Sequence, residues 1–195
     1  VGFFGQTSYA TIKNLSLTNV NFTNAYHVAG SLVGLSRSTT IDNCSASGSV
    51  TGTSFVAGLV GYIYSGSIIR NSYSTASVSG SSYYIGGLVG YMYASTILNS
   101  YSIESVVTRN SSYNAYTGGL VGWKSSGTIT NSFYDTTTSG KSDTGRGTGK
   151  TTSQMKTKAT FTDTSSANLT GSWDFYSTWE IDSSGTINNG YPYLK

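Results

Sequence analysis

At 195 residues the chain amounts to one ordinary domain, or a solenoid with an appended piece, and is long enough to bury a core. Only 10% of residues are charged, whereas 24 Gly, 16 Tyr and abundant Ser, Thr and Asn favour turns and strands over helix interiors, which selects an all-β class. Hydrophobic residues at 37%, recurring in register, exclude disorder, and a formal charge of +3 spread over scattered basic residues argues against a nucleic-acid partner.

The elements repeat along the chain. It opens on Gly2-Phe3-Phe4-Gly5, followed by Ile12-Lys13-Asn14. The pattern returns as Ser31-Leu32-Val33-Gly34 with Ile41-Asp42-Asn43, as Gly58-Leu59-Val60-Gly61 with Ile69-Arg70-Asn71, as Gly87-Leu88-Val89-Gly90 with Ile97-Leu98-Asn99, and as Gly119-Leu120-Val121-Gly122 with Ile129-Thr130-Asn131. Starts at 2, 31, 58, 87 and 119 give steps of 29, 27, 29 and 32, within the range of solenoid repeats. From the closing Gly to the Asn is nine residues in four copies and ten in the third. A third marker, Val50, Val78 and Val106, lies in Ser-rich surroundings. In the second copy Ser31 follows Ala29-Gly30, which reads as one inserted residue and predicts a bulge there.

Each unit predicts three short strands: Ile-x-Asn-Ser-aromatic, the Val segment, and Gly-Leu-Val-Gly-aromatic. None can bury a face alone, but stacking units about 4.8 Å apart pairs each strand with its copies and lines up Leu, Ile and Asn ladders. The fold class expected is a right-handed parallel β-helix (β-solenoid) of about five coils over 1–134, with loop, short helix and aromatic cap over 135–195. Gly at the corners supplies unusual φ or close backbone approach, and Asn bends the chain.

From Phe133 the repeat stops. Asp135 to Lys150 reads as a polar, Gly-rich loop, and its basic residues Lys141, Arg146 and Lys150, with Lys156 and Lys158, as solvated charge. Gly145-Arg146-Gly147-Thr148-Gly149-Lys150-Thr151 lacks the first Gly of a phosphate loop, since Thr144 stands there, and no buried strand precedes it. Thr151-Thr152-Ser153-Gln154 has the form of a capping box and predicts a short helix through Gln154–Lys158. The tail carries Phe161, Trp173, Phe175, Trp179, Tyr191 and Tyr193 and is expected to cover the open cross-section of the last coil. Starting in mid-repeat leaves the first coil incomplete and uncapped. That suggests a piece of a longer chain, or end-to-end self-association into a filament.

The repeated segments, together with Phe133-Tyr134-Asp135, Trp173-Asp174-Phe175 and Tyr191-Pro192-Tyr193-Leu194, resemble the GLUG-motif repeat family of large bacterial surface and secreted proteins. The resemblance implies a β-helical module of adhesins, surface-layer-like proteins and some immunoglobulin A proteases, with no catalytic residues and no cofactor of its own. It also implies an extracellular or cell-surface location. The function expected is non-enzymatic adhesion or recognition, with a ligand-free spacer or filament-forming solenoid, or a non-catalytic part of a surface protease, as alternatives.

Candidate chemistry is sparse. His27 is the only His, and Phe55 and Tyr84 near its place in sister repeats assign it a ladder slot. Cys44, the only Cys, stands where sister repeats have Ser and reads as a small packed residue. One His and one Cys leave no basis for a Zn site or a Ser-His-Asp triad. The eight acidic residues, among them Glu104, Asp135, Asp143, Glu180 and Asp182, show no convergent pair one coil apart. Sequons at Asn14, Asn21, Asn43, Asn110 and Asn168 matter only on a eukaryotic secretory route. No apolar run is long enough to span a membrane. The aromatics are the exception. Tyr62 and Tyr64, Tyr91 and Tyr93, and Trp123 follow three successive motifs at matching offsets. Facing outward, they would form a flat platform for a glycan or a host or neighbour-cell surface protein; otherwise they form a stabilising ladder or lie beneath the cap.

Overall fold

The computed structural model describes residues 1–165 and 169–195; the sequon at Asn168 lies outside the described residues. Parallel strands stack into a β-solenoid whose coils carry four faces rather than three. The first face is a five-stranded sheet of Phe4–Ser8, Val33–Arg37, Val60–Tyr64, Val89–Met92 and Val121–Lys124, each strand beside the same strand of the next coil. The second holds Thr11–Lys13, Thr40–Asp42, Ile68–Arg70, Ser95–Leu98 and Gly127–Thr130. The third is the long face, from Ser16–Ala25 and Ser45–Gly52 through Tyr73–Gly80 to Phe133–Asp135. The fourth consists of two-residue strands: Ala29–Gly30, Val56–Ala57, Ile85–Gly86 and Thr117–Gly118.

The extra face is the short strands that precede each motif, and the Asn ladder moves a second boundary. Asn14, Asn43, Asn71, Asn99 and Asn131 all adopt left-handed backbone, with φ between 46° and 58°. Asn tolerates this conformation better than other non-glycine residues. The chain therefore turns at the Asn, so the Ile strand ends before it. The following Ser-aromatic pair runs straight into the Val segment as a single strand, Tyr73–Gly80 in the third coil. Beside Asn71, Asn99 and Asn131 a Ser closes the turn. Ser72, Ser100 and Ser132 donate to the carbonyls of Arg70, Leu98 and Thr130 at 2.7–2.8 Å, and accept the amides of Cys44, Ser72 and Ser100 one coil back. Cys44 fills this slot as expected, its thiol 3.3 Å from the Asp42 carbonyl, and burial pushes its pKa up.

Two cores run along the axis. In the first, Leu32, Leu59, Leu88 and Leu120 stack with Ile41, Ile69, Ile97 and the Val33–Val60–Val89–Val121 column, all fully buried. Each such side chain contributes roughly 1.5–3 kcal/mol by leaving water. In the second, Val50, Val78 and Val106 lie in register and pack on Val56 and Ile85.

Between the two cores the first Gly of each motif meets the long strand. None of the motif glycines has positive φ. What they supply is room. A Cβ on Gly58 would overlap Ser74 Oγ and the Gly87 carbonyl, and one on Gly87 would lie 2.7 Å from Ser102 Oγ. Ser74 pairs in register with Ala46, and that smaller residue is what lets Ser31 replace Gly in the second copy. Ala29, Gly30 and Val33 pair one-to-one with Val56, Ala57 and Val60, so Ser31 is a substitution without any insertion or bulge. The irregularities lie instead in Ser16–Ala25, at Leu17/Val20 and Phe22/Ala25. The same register puts Val28, not His27, opposite Phe55. His27 is exposed, edge-on to Tyr26 at 4.8 Å, because the chain bows out before Ala29 re-enters the stack.

The last coil is closed by the segment read from sequence as a solvated loop. Asp143 accepts the Gly119 amide at 2.8 Å, and Arg146 donates to the carbonyls of Ala115, Thr117 and Gly122. These are the open edge groups that a next coil would otherwise satisfy. Arg146 and Asp143 also pair at 3.6 Å with both side chains largely buried. Gly147 packs on Leu120, Tyr134 fills the end of the first core with its hydroxyl on the Asp143 carbonyl at 2.7 Å, and Thr148–Lys150 adds an outermost strand. The capping box at Thr151 and Gln154 forms, and the helix it starts is Thr152–Met155, with Ala159–Thr162 following.

The aromatic tail mainly covers a side of the solenoid, and meets its end at Asn131, which donates to the Gly171 carbonyl and accepts the Thr170 amide while its own carbonyl accepts Trp173 Nε1. Tyr73, Tyr101 and Phe133 form an outward-facing column on the long face. Phe161, Trp173, Trp179 and Tyr191 close over it, with Trp173 and Trp179 4.6 Å apart. Asp135, fully buried, ties the two parts together: it accepts the amides of Thr137 and Thr138 and the hydroxyls of Thr152 and Tyr191.

Volume exchange between the motif Gly and its partner on the long strand has a direct consequence. Gly58→Ser alone is expected to cost about 1–3 kcal/mol in chemical denaturation, as overpacked cores do. Adding Ser74→Ala should return about 1 kcal/mol of that loss as coupling energy, recreating the Ser31/Ala46 pair. Strict additivity of the two changes would contradict this account.

Candidate functional site

The first face presents alternating side chains. Val60, Val89 and Val121 point inward, as do Ile63 and Met92, and the residues between them point out. Tyr62 pairs with Tyr91 and Tyr91 with Trp123, so these three form one outward column. Tyr64 shares a second column with Arg37, and Tyr93 stands beneath it because Met92 pairs with Ile63. All five residues predicted from the sequence therefore share one face. Tyr93 is 47% and Trp123 36% exposed, and the tail covers a different side of the solenoid.

The surface is interlocked and not flat. Tyr62 meets Tyr91 edge-on at 4.9 Å and 86°, and Tyr62 and Tyr64 tilt by 35° at 5.1 Å. The rings of this face turn edge to face, as their quadrupoles favour.

Five further aromatics, not assigned to the site from sequence, complete it. Phe55 and Tyr84 sit at positive φ, 53° and 65°, just before the short fourth-face strands. That bend carries their rings over the first face: Phe55 stacks on Tyr62 at 5.7 Å, and Tyr84 meets Tyr91 at 4.8 Å. Tyr116 occupies the equivalent place and contacts Trp123 at 5.2 Å. The signal was present in the sequence, since Phe55, Tyr84 and Tyr116 each stand three residues before the first Gly of a motif. The long step of 32 residues has its cause here as well. A 3-10 turn, Ser111–Tyr116, capped by the Asn110 side chain on the Ser112 amide, swings Tyr113 to 4.3 Å from Tyr83.

Burial, then the neighbouring phenols Tyr91, Tyr64 and Tyr93, raise the Tyr62 pKa, and burial followed by Tyr91 and Tyr116 raises that of Tyr84. Tyr83 is raised chiefly by its hydrogen bond with Tyr113. The face is accordingly neutral and amphipathic at physiological pH: apolar ring area with hydroxyls at its outer rim. Such a surface can stack on, and hydrogen-bond to, an uncharged partner.

Elsewhere, among the described residues, no group of three or more His, Cys, Asp and Glu side chains is placed to hold a metal ion, and no helix is long and apolar enough to cross a membrane. The segment resembling a phosphate loop is consumed by the end cap and by the strand Thr148–Lys150.

These features define a repeat protein of the parallel β-solenoid class, with in-register ladders inside and an aromatic face outside. The family model described as the GLUG motif matches residues 25–51, the copy that carries Ser31, so that segment of the solenoid carries a GLUG motif. Comparison with curated proteins and with solved structures gives no significant match.

Alkaline titration tests the burial of these phenols. Below pH about 10 folded and unfolded chains both hold them protonated. Above that the unfolded chain loses its protons first, while the folded state keeps Tyr134 protonated, its pKa pushed up to about 12 by burial, with Tyr62 and Tyr84 also raised. The contribution of these phenols to stability is therefore expected to be level up to pH about 10 and to fall from there toward about 12, with phenolate absorbance beyond that of the exposed tyrosines appearing together with unfolding. Ionisation of all the tyrosines with the circular dichroism unchanged would contradict it.

Proposed function

We propose that the chain is a non-enzymatic adhesion or recognition module of an extracellular or cell-surface bacterial protein, and that the aromatic face is its contact surface for a glycan or protein on another surface. One observation carries this reading. The scaffold does not need aromatic residues in these columns. The second coil fills the same positions with Leu35 and Arg37, and the first with Gln6 and Ser8, without any change of register. Aromatics concentrated where stacking does not demand them, edged by Ser and Asn, give the composition of adaptable recognition surfaces. There Tyr and Trp supply large contact area at low entropic cost.

A spacer without a ligand would be built from the same ladders and would leave these columns free to vary. Cell-attachment and glycan-array assays on the isolated chain separate the two. Tyr93→Ala with Trp123→Ala, the two most exposed rings of the predicted five, should weaken attachment tenfold or more, as loss of hot-spot aromatics does, while stability changes by less than about 0.5 kcal/mol per site. Attachment that survives both changes, or its absence in the unaltered chain, would favour the spacer.

A further inference from the structure

On the side of the solenoid opposite in role to the aromatic face, the long face carries an outward column that changes character along the axis. Its residues, in register, are Ser16, Ser45, Tyr73, Tyr101 and Phe133. Over Phe133 and Tyr101 the tail closes completely. Tyr73 lies parallel to Tyr101, at 5.0 Å and 3°, so one ring face is covered and the other looks toward Ser45. There the run of rings stops. Two coils in succession place only a hydroxymethyl group in the column, and the tail strand Tyr193–Leu194 stands alongside.

The outcome is an open groove of two joined lobes, about 440 and 280 Å³, sharing Tyr73, Ser45, Ser16 and Leu194. Its combined size falls within the roughly 300–1,000 Å³ of small-molecule sites. Ser45 lies at the floor, only 4% exposed, its hydroxyl bonded to Ser16 at 2.8 Å. Asn14 and Asn43 line one end, where the Asn43 amide donates to Asn14 Oδ1 at 2.7 Å. The one charged group in the lining, Lys195, turns its ammonium to the carbonyls of Phe175 and Tyr176.

We infer that this groove is a binding site for a neutral pyranose saccharide, with one sugar ring stacked on the free face of Tyr73 in the place where the column of rings breaks off. The chemistry on the two sides of the slot selects that class. An aromatic face receives the axial C–H face of a pyranose. Serine hydroxyls and asparagine amides, which both donate and accept, match the equatorial hydroxyls. Lys195 is the single charged side chain among the described lining residues and stands at one end, so neutral donors and acceptors dominate the groove. Both lobes lie along the same strands, so a short oligosaccharide would fit better than a single sugar. The inference is independent of the aromatic face, which lies on another sheet.

Saturation-transfer NMR and calorimetry with cellotetraose, mannotriose and galactobiose as probes test it. At least one is expected to bind the unaltered chain, with transfer to the sugar ring protons. Ser45→Tyr continues the ring column into the slot and should abolish that binding while leaving the melting temperature unchanged or higher. Tyr73→Ala should weaken it tenfold or more. Should Tyr73→Ala fail to fold, Ser45→Tyr still decides the matter. Binding of none of the three probes, or undiminished binding by Ser45→Tyr, would overturn the groove. Sugar binding that Ser45→Tyr spares but Trp123→Ala removes would overturn it too, and would leave the aromatic face standing as the recognition surface.

Discussion

Parallel, in-register stacking is the constraint on which this molecule depends. Each residue stands on its counterpart one coil away, at the spacing of hydrogen-bonded strands. Inward positions are therefore filled mostly by side chains that pack on copies of themselves, and most inward polar residues bond to the coil above or below, the buried Ser31 hydroxyl being an exception. The Leu and Val columns meet the first demand. The Ser72–Ser100–Ser132 ladder meets the second, each hydroxyl serving its own turn and the neighbouring coil's amide at once. A stack built this way has no intrinsic end, so termination becomes a chemical problem. Here it is solved by one carboxylate and one guanidinium, Asp143 and Arg146, which take over the hydrogen bonds that a further coil would have made.

The coil count, the ladders and the class of fold were legible in the sequence because the same constraint writes itself into sequence as period and phase. Two markers holding phase over five copies leave few other architectures. What escaped was local. The Asn was expected to bend the chain, yet its left-handed φ, which ends the Ile strand and joins the Ser-aromatic pair to the Val segment, is a backbone property that the residue type permits without requiring. Ser31 looked like an insertion because Gly30 precedes it. Only the pairing of Ser74 with Ala46 shows that the lost space at 31 is returned across the core. The cap was legible only in part. Tyr134 and Gly147 seal most of the end, and the Trp-rich tail meets that end at Asn131 while its rings answer an exposed aromatic column on the side.

The candidate face was half legible. Offsets from the motif found Tyr62, Tyr64, Tyr91, Tyr93 and Trp123, since residues on one strand side recur with the repeat. Phe55, Tyr84 and Tyr116 stand just before the short fourth-face strands and reach the first face only because the backbone turns there, in two cases at positive φ. Tyr113 arrives through a 3-10 turn that interrupts the repeat altogether. Periodicity finds what the stack repeats and is blind to what departs from it.

That blindness indicates where to look for function in a solenoid of this kind. Columns that stay constant from coil to coil are already explained by stacking. Information about a partner can reside only in outward columns, whose residues change without disturbing the register. Two such columns change here, and in opposite senses. On the first face Gln6 and Leu35 give way to Tyr62, Tyr91 and Trp123, so ring area accumulates toward the capped end. On the long face Phe133, Tyr101 and Tyr73 give way to Ser45 and Ser16, so ring area is lost toward the first coil. The first change builds a broad exposed surface, and the second opens a slot beside a ring. Neither is needed for the Leu, Ile or Val ladders to pack, and both lie outside the two axial cores. The scaffold thus leaves its outer columns free, and the aromatic residues that stacking does not require mark where this chain has used that freedom.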